Sequence, residues 1–472
     1  MEQEYNLLLQ ADGYKNVQWR QFPDGTQNAF MYLESREGAA EESVFFGLQY
    51  IMKRYFQGKV VTEAKVREAE ETINGLFGTR MFNTEGWEHI IDAHGGMLPI
   101  SIRAVPEGLV VPAGNVMLTV ENTDPQCFWL PSYIETVLGK VWYPITIAST
   151  SYRMRGIISE YVKRTGDEGT IDQRLYDNSK DGVSSNETSA IAGAAHLLSF
   201  RTTDSVAAIE LLKRYYHYKG GIFTSVPGTE HISITTWGKT NEEKAMGELM
   251  QRFRSGPLSI VVDSYDLHGA CRDILGTKLK SLVVRRDGNI IVRPDSGDPV
   301  EVALDVIGIL GDSFGFDTNR KGFKVLKKTR ISIAEATDSA VVSKLLSNLE
   351  ERGLSADNII FGTGGSAMQR VTKDSHRIAA RCSSITVNGA ERDVYKEPKT
   401  ALWKRSKPGR LALVSDGYAY RTLRRDAVQP GEEVTAEVFS NGRLLVEHTI
   451  EDIRSRVLLR QPMRVKITNR GA

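Results

Sequence analysis

Apolar and polar positions follow different periods in different parts of this chain. Residues 38–80 carry apolar side chains at helical spacing, in EESVFFGLQYIMKRYF and, after a short break, in TEAKVREAEETINGLF. Residues 98–120, LPISIRAVPEGLVVPAGNVMLTV, are short β-rich runs separated by Pro-Glu-Gly and Pro-Ala-Gly-Asn turns. From about 145 to 380, apolar strand-like runs alternate with helical patterns. LSIVVDSYD (258–266) precedes LHGACRDILG, and IIVRPDSGDP precedes VEVALDVIGILG. RISIAEATD (330–338) precedes SAVVSKLLSNLEERG, and NIIFGTGGS (358–366) precedes AMQRVTK. Such alternation predicts parallel strands with crossover helices. The last ninety residues are again β-rich, with turns at Ser415-Asp416-Gly417 and Ser440-Asn441-Gly442. The pattern predicts an α/β protein in two parts. The alternating stretch from about 145 to 380 is expected to form a barrel, with separate segments on either side of it.

Composition narrows the class. The chain has 472 residues, 41% apolar and 25% charged, with 60 Lys and Arg against 59 Asp and Glu. A formal net charge of +1 argues against general electrostatic capture of nucleic acid or of a membrane surface. The three cysteines, Cys127, Cys271 and Cys382, have no paired spacing, which predicts neither a disulfide framework nor a zinc site. The first residues are acidic, their apolar run is too short for a signal peptide, and no run approaches a membrane span, so a cytoplasmic protein is expected.

Each barrel strand runs out at a polar or glycine group: Asp263, Arg293 and Asp295, Glu335, and Gly364 with Gly365. In a parallel barrel the strand C-termini share one face, so these groups converge there. Asp263, Asp295 and Glu335 suit sugar hydroxyls or hydrated Mg²⁺, or else cap the helices that follow them. The adjacent glycines of FGTGGS make either a tight strand-to-helix turn or a phosphate seat of exposed N–H groups. Lys373, Arg377 and Arg381, spaced by four, are either cations for that anion or a solvated helix face. His231, in TSVPGTEHISITTWG, has no metal-spaced partner. It is either structural or a group that contacts or attacks phosphate.

In chain order, DGYK, EESVFFGLQYI, AVPEG, ENTDP, GVSSNET, GTEHIS, DSYD, RPDSG and FGTGG resemble the motifs of the nicotinamide phosphoribosyltransferase family, from about residue 5 to 450. The resemblance implies a type II phosphoribosyltransferase fold, an irregular (β/α) barrel at 146–384 joined to a β-rich α+β domain built from both chain ends, 1–145 completed by 385–472. It implies a homodimer with shared sites. Nicotinamide and 5-phosphoribosyl 1-pyrophosphate would give nicotinamide mononucleotide and pyrophosphate, with Mg²⁺. ATP would act as an auxiliary through a phosphohistidine. On that resemblance His231 is the phosphorylated histidine and Asp263 orients it. Asp204 accepts the nicotinamide amide, Arg293 contacts base and pyrophosphate, and Asp295 holds ribose hydroxyls and Mg²⁺. Tyr14, with Asp12 beside it, reaches the nicotinamide ring from the other subunit. Gly364 and Gly365 give N–H groups to the 5′-phosphate, with Lys373 and Arg381 from across the dimer, and Lys396 and Lys404 fall near the same interface.

Three departures lie in the site. Where the family reads DFGYRGVSS, this chain reads DNSKDGVSS, so Asn178 replaces a stacking aromatic and Asp181 an arginine. Lys180 restores a charge but not a bidentate fork. The family's GDG is Ala334-Glu335-Ala336, and an expected serine is Ala379. These changes raise two alternatives to the phosphoribosyl donor. One is an ADP-ribosyltransferase that makes NAD directly from ADP-ribose 1-pyrophosphate, and the other is a non-catalytic homologue.

Overall fold

The computed structural model describes residues 5–178, 180–333 and 338–459. The chain divides into two compact units. Thr150–Leu211 and Lys219–Arg370 make one; the described residues up to Ser149, Leu212–Tyr218 and residues 371–459 make the other.

In the first unit, six short strands form one parallel sheet. Its order is Thr202–Thr203, Leu175–Asp177, Ile359–Thr363, Thr329–Ile333, Ile290–Arg293 and Leu258–Val261. The two edges are joined by the segment 224–228: Thr224 bridges Thr202 on one edge and Gly228 bridges Ser259 on the other, both in parallel sense. The result is a closed, irregular barrel. Every second strand residue points outward, and Ile290, Val292, Ile331, Ile333, Ile359 and Phe361 are buried there in one cluster. Helix Pro299–Phe314 adds Ala303, Val306, Ile307 and Leu310 to that cluster, and helix Ser339–Glu351 adds Val342, Leu345, Leu346 and Leu349. The helices start where their caps dictate. Asp298 accepts the N–H groups of Val300 and Glu301 with Pro299 at the first helical position, and Asp338 accepts that of Ala340. Asp266 caps Leu267–Gly269 in the same way. Three other carboxylates therefore do the capping, and Asp263 and Asp295 are not needed for it.

The second unit holds a seven-stranded antiparallel sheet drawn from both chain ends. Its order is Ala390–Asp393, Ile378–Val387, Thr26–Ser35, Val116–Asn122, Ile100–Ala104, Ala436–Ser440 and Arg443–Leu444. Helix Leu130–Leu138 packs on Thr26–Ser35 and Val116–Asn122. The turn predicted at Ser440-Asn441-Gly442 joins the last two strands, with Asn441 and Gly442 both at positive φ, 46° and 78°. Ser415-Asp416-Gly417 turns the separate hairpin Leu411–Ser415 to Tyr420–Arg424.

Two sequence expectations need correction. EESVFFGLQYIMKRYF is not helical throughout: Glu42–Val44 is a strand paired with Val110–Pro112, and the helix begins at Leu48. Gly47 breaks the run at φ 98°, where an added Cβ would fall 2.4 Å from Pro144. The apolar residues suit either period because Val44, Phe45 and Phe46 are all buried. Nor do Lys373, Arg377 and Arg381 share a helix face, since Arg381 lies within the strand Ile378–Val387. No helix among the described residues is long and apolar enough to cross a membrane.

Candidate active site

The inward positions of the barrel strands are unlike a filled barrel core, where bulky branched side chains meet in layers. Here they read Arg174-Tyr176-Asn178 on one strand and its flanks, Asn289-Ile291-Arg293 on another, and Ser259, Ser332 and Gly362 on others. Together they line a cavity of about 630 Å³. A dry apolar void of that size would cost on the order of 15 kcal/mol, as much as a whole domain's stability. A polar lining that holds water or a ligand avoids that cost. At the strand N-termini Arg174 is tied off: its Nη2 donates to Asp357 Oδ1 at 2.5 Å and its Nη1 to the carbonyls of Asp357 and Ile359. Arg330 there donates to the carbonyls of Leu326 and Thr329.

The strand C-termini are equipped differently. Asp204 Oδ1 accepts from Ser225 Oγ at 2.6 Å and from Tyr176 Oη at 3.0 Å. Tyr176 Oη in turn accepts the Val226 N–H at 2.8 Å. Burial, with the charge of Asp204, pushes the Tyr176 phenol well above its ordinary value, so it stays a donor. In the same cavity wall, Asn178 Oδ1 and Arg293 Nε are buried with no hydrogen-bond partner among the described residues. Unpaired buried polar atoms are costly, and a bound ligand is one way to satisfy them.

Asp263 organises the next part of the rim. Its Oδ1 lies 3.2 Å from His231 Nε2, and its Oδ2 accepts the Ser296 hydroxyl at 2.7 Å and the Asp295 N–H at 3.0 Å. Burial alone would raise this carboxyl, but those three contacts hold it below the ordinary range. The His231 side chain is 46% exposed whereas that of Asp263 is 5% exposed, so the imidazole is presented outward on a fixed carboxylate. His231 opens the short helix His231–Thr235 after the Glu230 cap. The Asp295 carboxylate, one residue past the Pro that ends its strand, accepts no hydrogen bond from the described residues.

Gly365 begins the helical turn Gly365–Gln369 and lies against the backbone of Gly182, so close that a Cβ on Gly365 would fall 2.3 Å from the Gly182 carbonyl oxygen. That contact joins the GVSS loop to the FGTGG turn. Gly364 immediately precedes the turn, and Lys180 is exposed in the 3-10 turn Lys180–Gly182. Glu335 lies outside the described residues. The remaining candidates belong to the antiparallel unit. Asp12 precedes the 3-10 helix Gly13–Arg20, and Tyr14 is 59% exposed on it. Lys373 and Lys396 are exposed, and Lys404 Nζ lies 5.0 Å from the Trp403 ring centroid. Arg381 is half-buried with its Nε unpaired among the described residues. Arg377 stacks on Trp403 and donates to the Glu37 carbonyl at 2.8 Å, which gives it a structural task.

Sequence reasoning missed Tyr176, Ser225 and Ser296. Tyr176 was accessible, because it stands two residues before Asn178 and shares its face of the strand. Ser225 was not, since the closing segment 224–228 has no apolar run to mark it as part of a sheet.

Residues 6–102 match the nicotinamide phosphoribosyltransferase N-terminal domain, and residues 174–442 match the nicotinate phosphoribosyltransferase (NAPRTase) family. A nicotinamide phosphoribosyltransferase of Xanthomonas campestris pv. campestris is 40% identical over 460 residues, covering 95% of this chain and 97% of its own. One from Acinetobacter baylyi is 30% identical, covering 96% and 97%. Among solved structures, nicotinate-nucleotide pyrophosphorylase from Pyrococcus furiosus matches with a TM-score of 0.61 at 15% identity, covering 97% of this chain and 98% of that one. Human nicotinic acid phosphoribosyltransferase matches with a TM-score of 0.58 at 15% identity, covering 95% and 92%. The two structures carry the fold, that of the type II phosphoribosyltransferases, and the identity spread along nearly the whole sequence carries the family: this chain belongs to the nicotinamide phosphoribosyltransferases.

Proposed function

We propose that this enzyme joins nicotinamide to 5-phosphoribosyl 1-pyrophosphate, releasing pyrophosphate and forming nicotinamide mononucleotide. The observation that carries the choice of base is the Asp204 carboxylate in the wall of the hollow barrel, held by Tyr176 and Ser225. A carboxylate accepts from a carboxamide N–H and repels the carboxylate of nicotinate. The ring nitrogen attacks C1 of the ribose as the C1–O bond to pyrophosphate breaks, and positive charge builds on the sugar between them. Arg293, at the strand end, stabilises the departing pyrophosphate. The Asp295 carboxylate is a free hard-oxygen donor that fits Mg²⁺, which when bound would neutralise charge on the pyrophosphate. Asn178 offers an unpaired amide oxygen where the family stacks a ring.

Three further assignments rest on the resemblance and on local geometry. His231, seated on Asp263, is the group that ATP phosphorylates. Gly364, Gly365 and Lys180 take the phosphates, and Asp12, Tyr14, Lys373, Arg381, Lys396 and Lys404 serve a site shared in a homodimer. The exposed Tyr14 ring favours an interface, because Leu76 and Phe77 beside Gly13 are exposed too. Cytoplasmic residence agrees with three free thiols. The test is a competition: limiting enzyme and nicotinamide with equal phosphoribosyl and ADP-ribosyl pyrophosphate, products identified by mass spectrometry. Mononucleotide is expected. NAD in excess would assign the ADP-ribosyl donor instead, and no product from either would leave a binding protein.

A further inference from the structure

A cluster in the antiparallel unit has no part in this chemistry. Helix Thr84–His94 carries His89 and ends on His94, and both imidazoles reach one carboxylate oxygen. His89 Nε2 and His94 Nε2 each lie 2.7 Å from Asp124 Oδ2. Asp124 Oδ1 is already engaged, accepting the Gln126 N–H at 2.8 Å as the cap of the turn Pro125–Cys127. That turn brings in Cys127, which is fully buried and whose thiol has no hydrogen-bond partner among the described residues. Ligand atoms of His89, Asp124 and Cys127 all lie within 4.8 Å of one another.

Capping accounts for Oδ1 of Asp124 alone. It does not explain why two imidazoles meet at Oδ2, or why a thiol is placed within reach of the same carboxylate. We infer that His89 Nε2, Asp124 Oδ2 and Cys127 Sγ form a site for a zinc-class divalent transition metal, with His94 orienting Asp124 through the second lone pair of Oδ2. One nitrogen, one oxygen and one sulfur suit a borderline-soft ion and not Mg²⁺ or Ca²⁺. The fourth position falls to water, since the imidazoles are 22% and 26% exposed. Tetrahedral bonds of about 2.0–2.3 Å set ligand atoms roughly 3.2–3.6 Å apart. The His89–Asp124 pair then has to open by about half an ångström from its 2.7 Å hydrogen bond. The proton between them moves to His89 Nδ1, and the metal takes its place. The Cys127 proton leaves to solvent, so affinity rises with pH.

Co²⁺ is the probe, added to the untagged full-length enzyme. The expected result is a sulfur-to-cobalt charge-transfer band that saturates at one ion per chain. Cys127→Ser and His89→Ala lose the band, and His94→Ala weakens binding about 10–100-fold. Cys271→Ser and Cys382→Ser keep it, because neither residue belongs to a cluster of His, Asp, Glu and Cys among the described residues. Transferase activity is unchanged in all three cluster variants. Zn²⁺ also raises the unfolding midpoint of the wild type and not of Asp124→Asn, a readout that stands even where a Cys127 variant folds poorly. No charge-transfer band in the wild type, or a band that survives Cys127→Ser, would overturn the site.

Discussion

In the strand Thr26–Ser35 both faces are covered, and Phe30, Tyr32 and Leu33 are each 1% exposed. In the strand Ile290–Arg293 only one face is covered in that way; the other, through Ile291 and Arg293, borders open space. The antiparallel sheet uses its alternation to fill a core. The parallel barrel uses the same period to separate two tasks, with stability on the outer face and chemistry on the inner. Burying a large apolar side chain stabilises by about 1.5–3 kcal/mol, so the barrel forgoes that gain at every Tyr, Asn, Ser, Arg or Gly it turns inward. Polar side chains turned into the barrel without a partner therefore mark function, whereas a buried polar side chain of the antiparallel sheet such as Glu34 is paired, here with Lys407.

The comparison can be broken from either side. The largest effect is expected from Asp295→Ala, which removes a rim carboxylate that no described residue hydrogen-bonds. Turnover should fall at least about 1,000-fold with the thermal midpoint unchanged, as measured by kcat/KM and melting. Phe30→Ala is the opposite case. It should cost about 3–5 kcal/mol of that unit's stability in denaturant titration and leave the KM for nicotinamide as it was.

A smaller effect concerns pH. Burial, only partly offset by N–H groups at Gly47, Leu48 and Gln49, pushes Glu107 from 4.5 to about 7. A carboxyl raised on folding adds stability below about 4.5 that is lost as pH rises through about 7. Between pH 5 and pH 8 the wild type should therefore lose more of its thermal midpoint than Glu107→Gln. Equal losses would remove Glu107 as the cause.

Legibility in the sequence followed the same division. The outward face of the barrel was readable, because Ile290, Val292, Ile331 and Ile359 sit in apolar runs before capped helices. Arg293, Asp295 and Asp263 were readable as chemistry because they interrupt those runs. Asp204 had no such contrast, lying in a polar stretch, and only the family resemblance singled it out; His231 stood out as a lone histidine whose role stayed open until that resemblance. The closing segment at Thr224 and Gly228 was illegible, since two isolated bridges need no strand-like sequence. The helix Thr84–His94 was passed over although Asn83 caps it and Trp87 and Ile90 are its buried face. Its apolar positions are too few to outweigh the polar ones around them.

The central claim is that the inner face of the barrel is a substrate cavity and not unfilled core. Gly362 lines that cavity and is the register partner of Tyr176 on the neighbouring strand. Gly362→Phe puts a ring beside the group that holds Asp204. The measurement is kcat/KM for nicotinamide together with the thermal midpoint of the same preparation. The prediction is a loss of at least about 100-fold in a protein that melts within a few degrees of the wild type. A folded Gly362→Phe enzyme with wild-type kcat/KM, or one that cannot fold because no space exists for the ring, would contradict it.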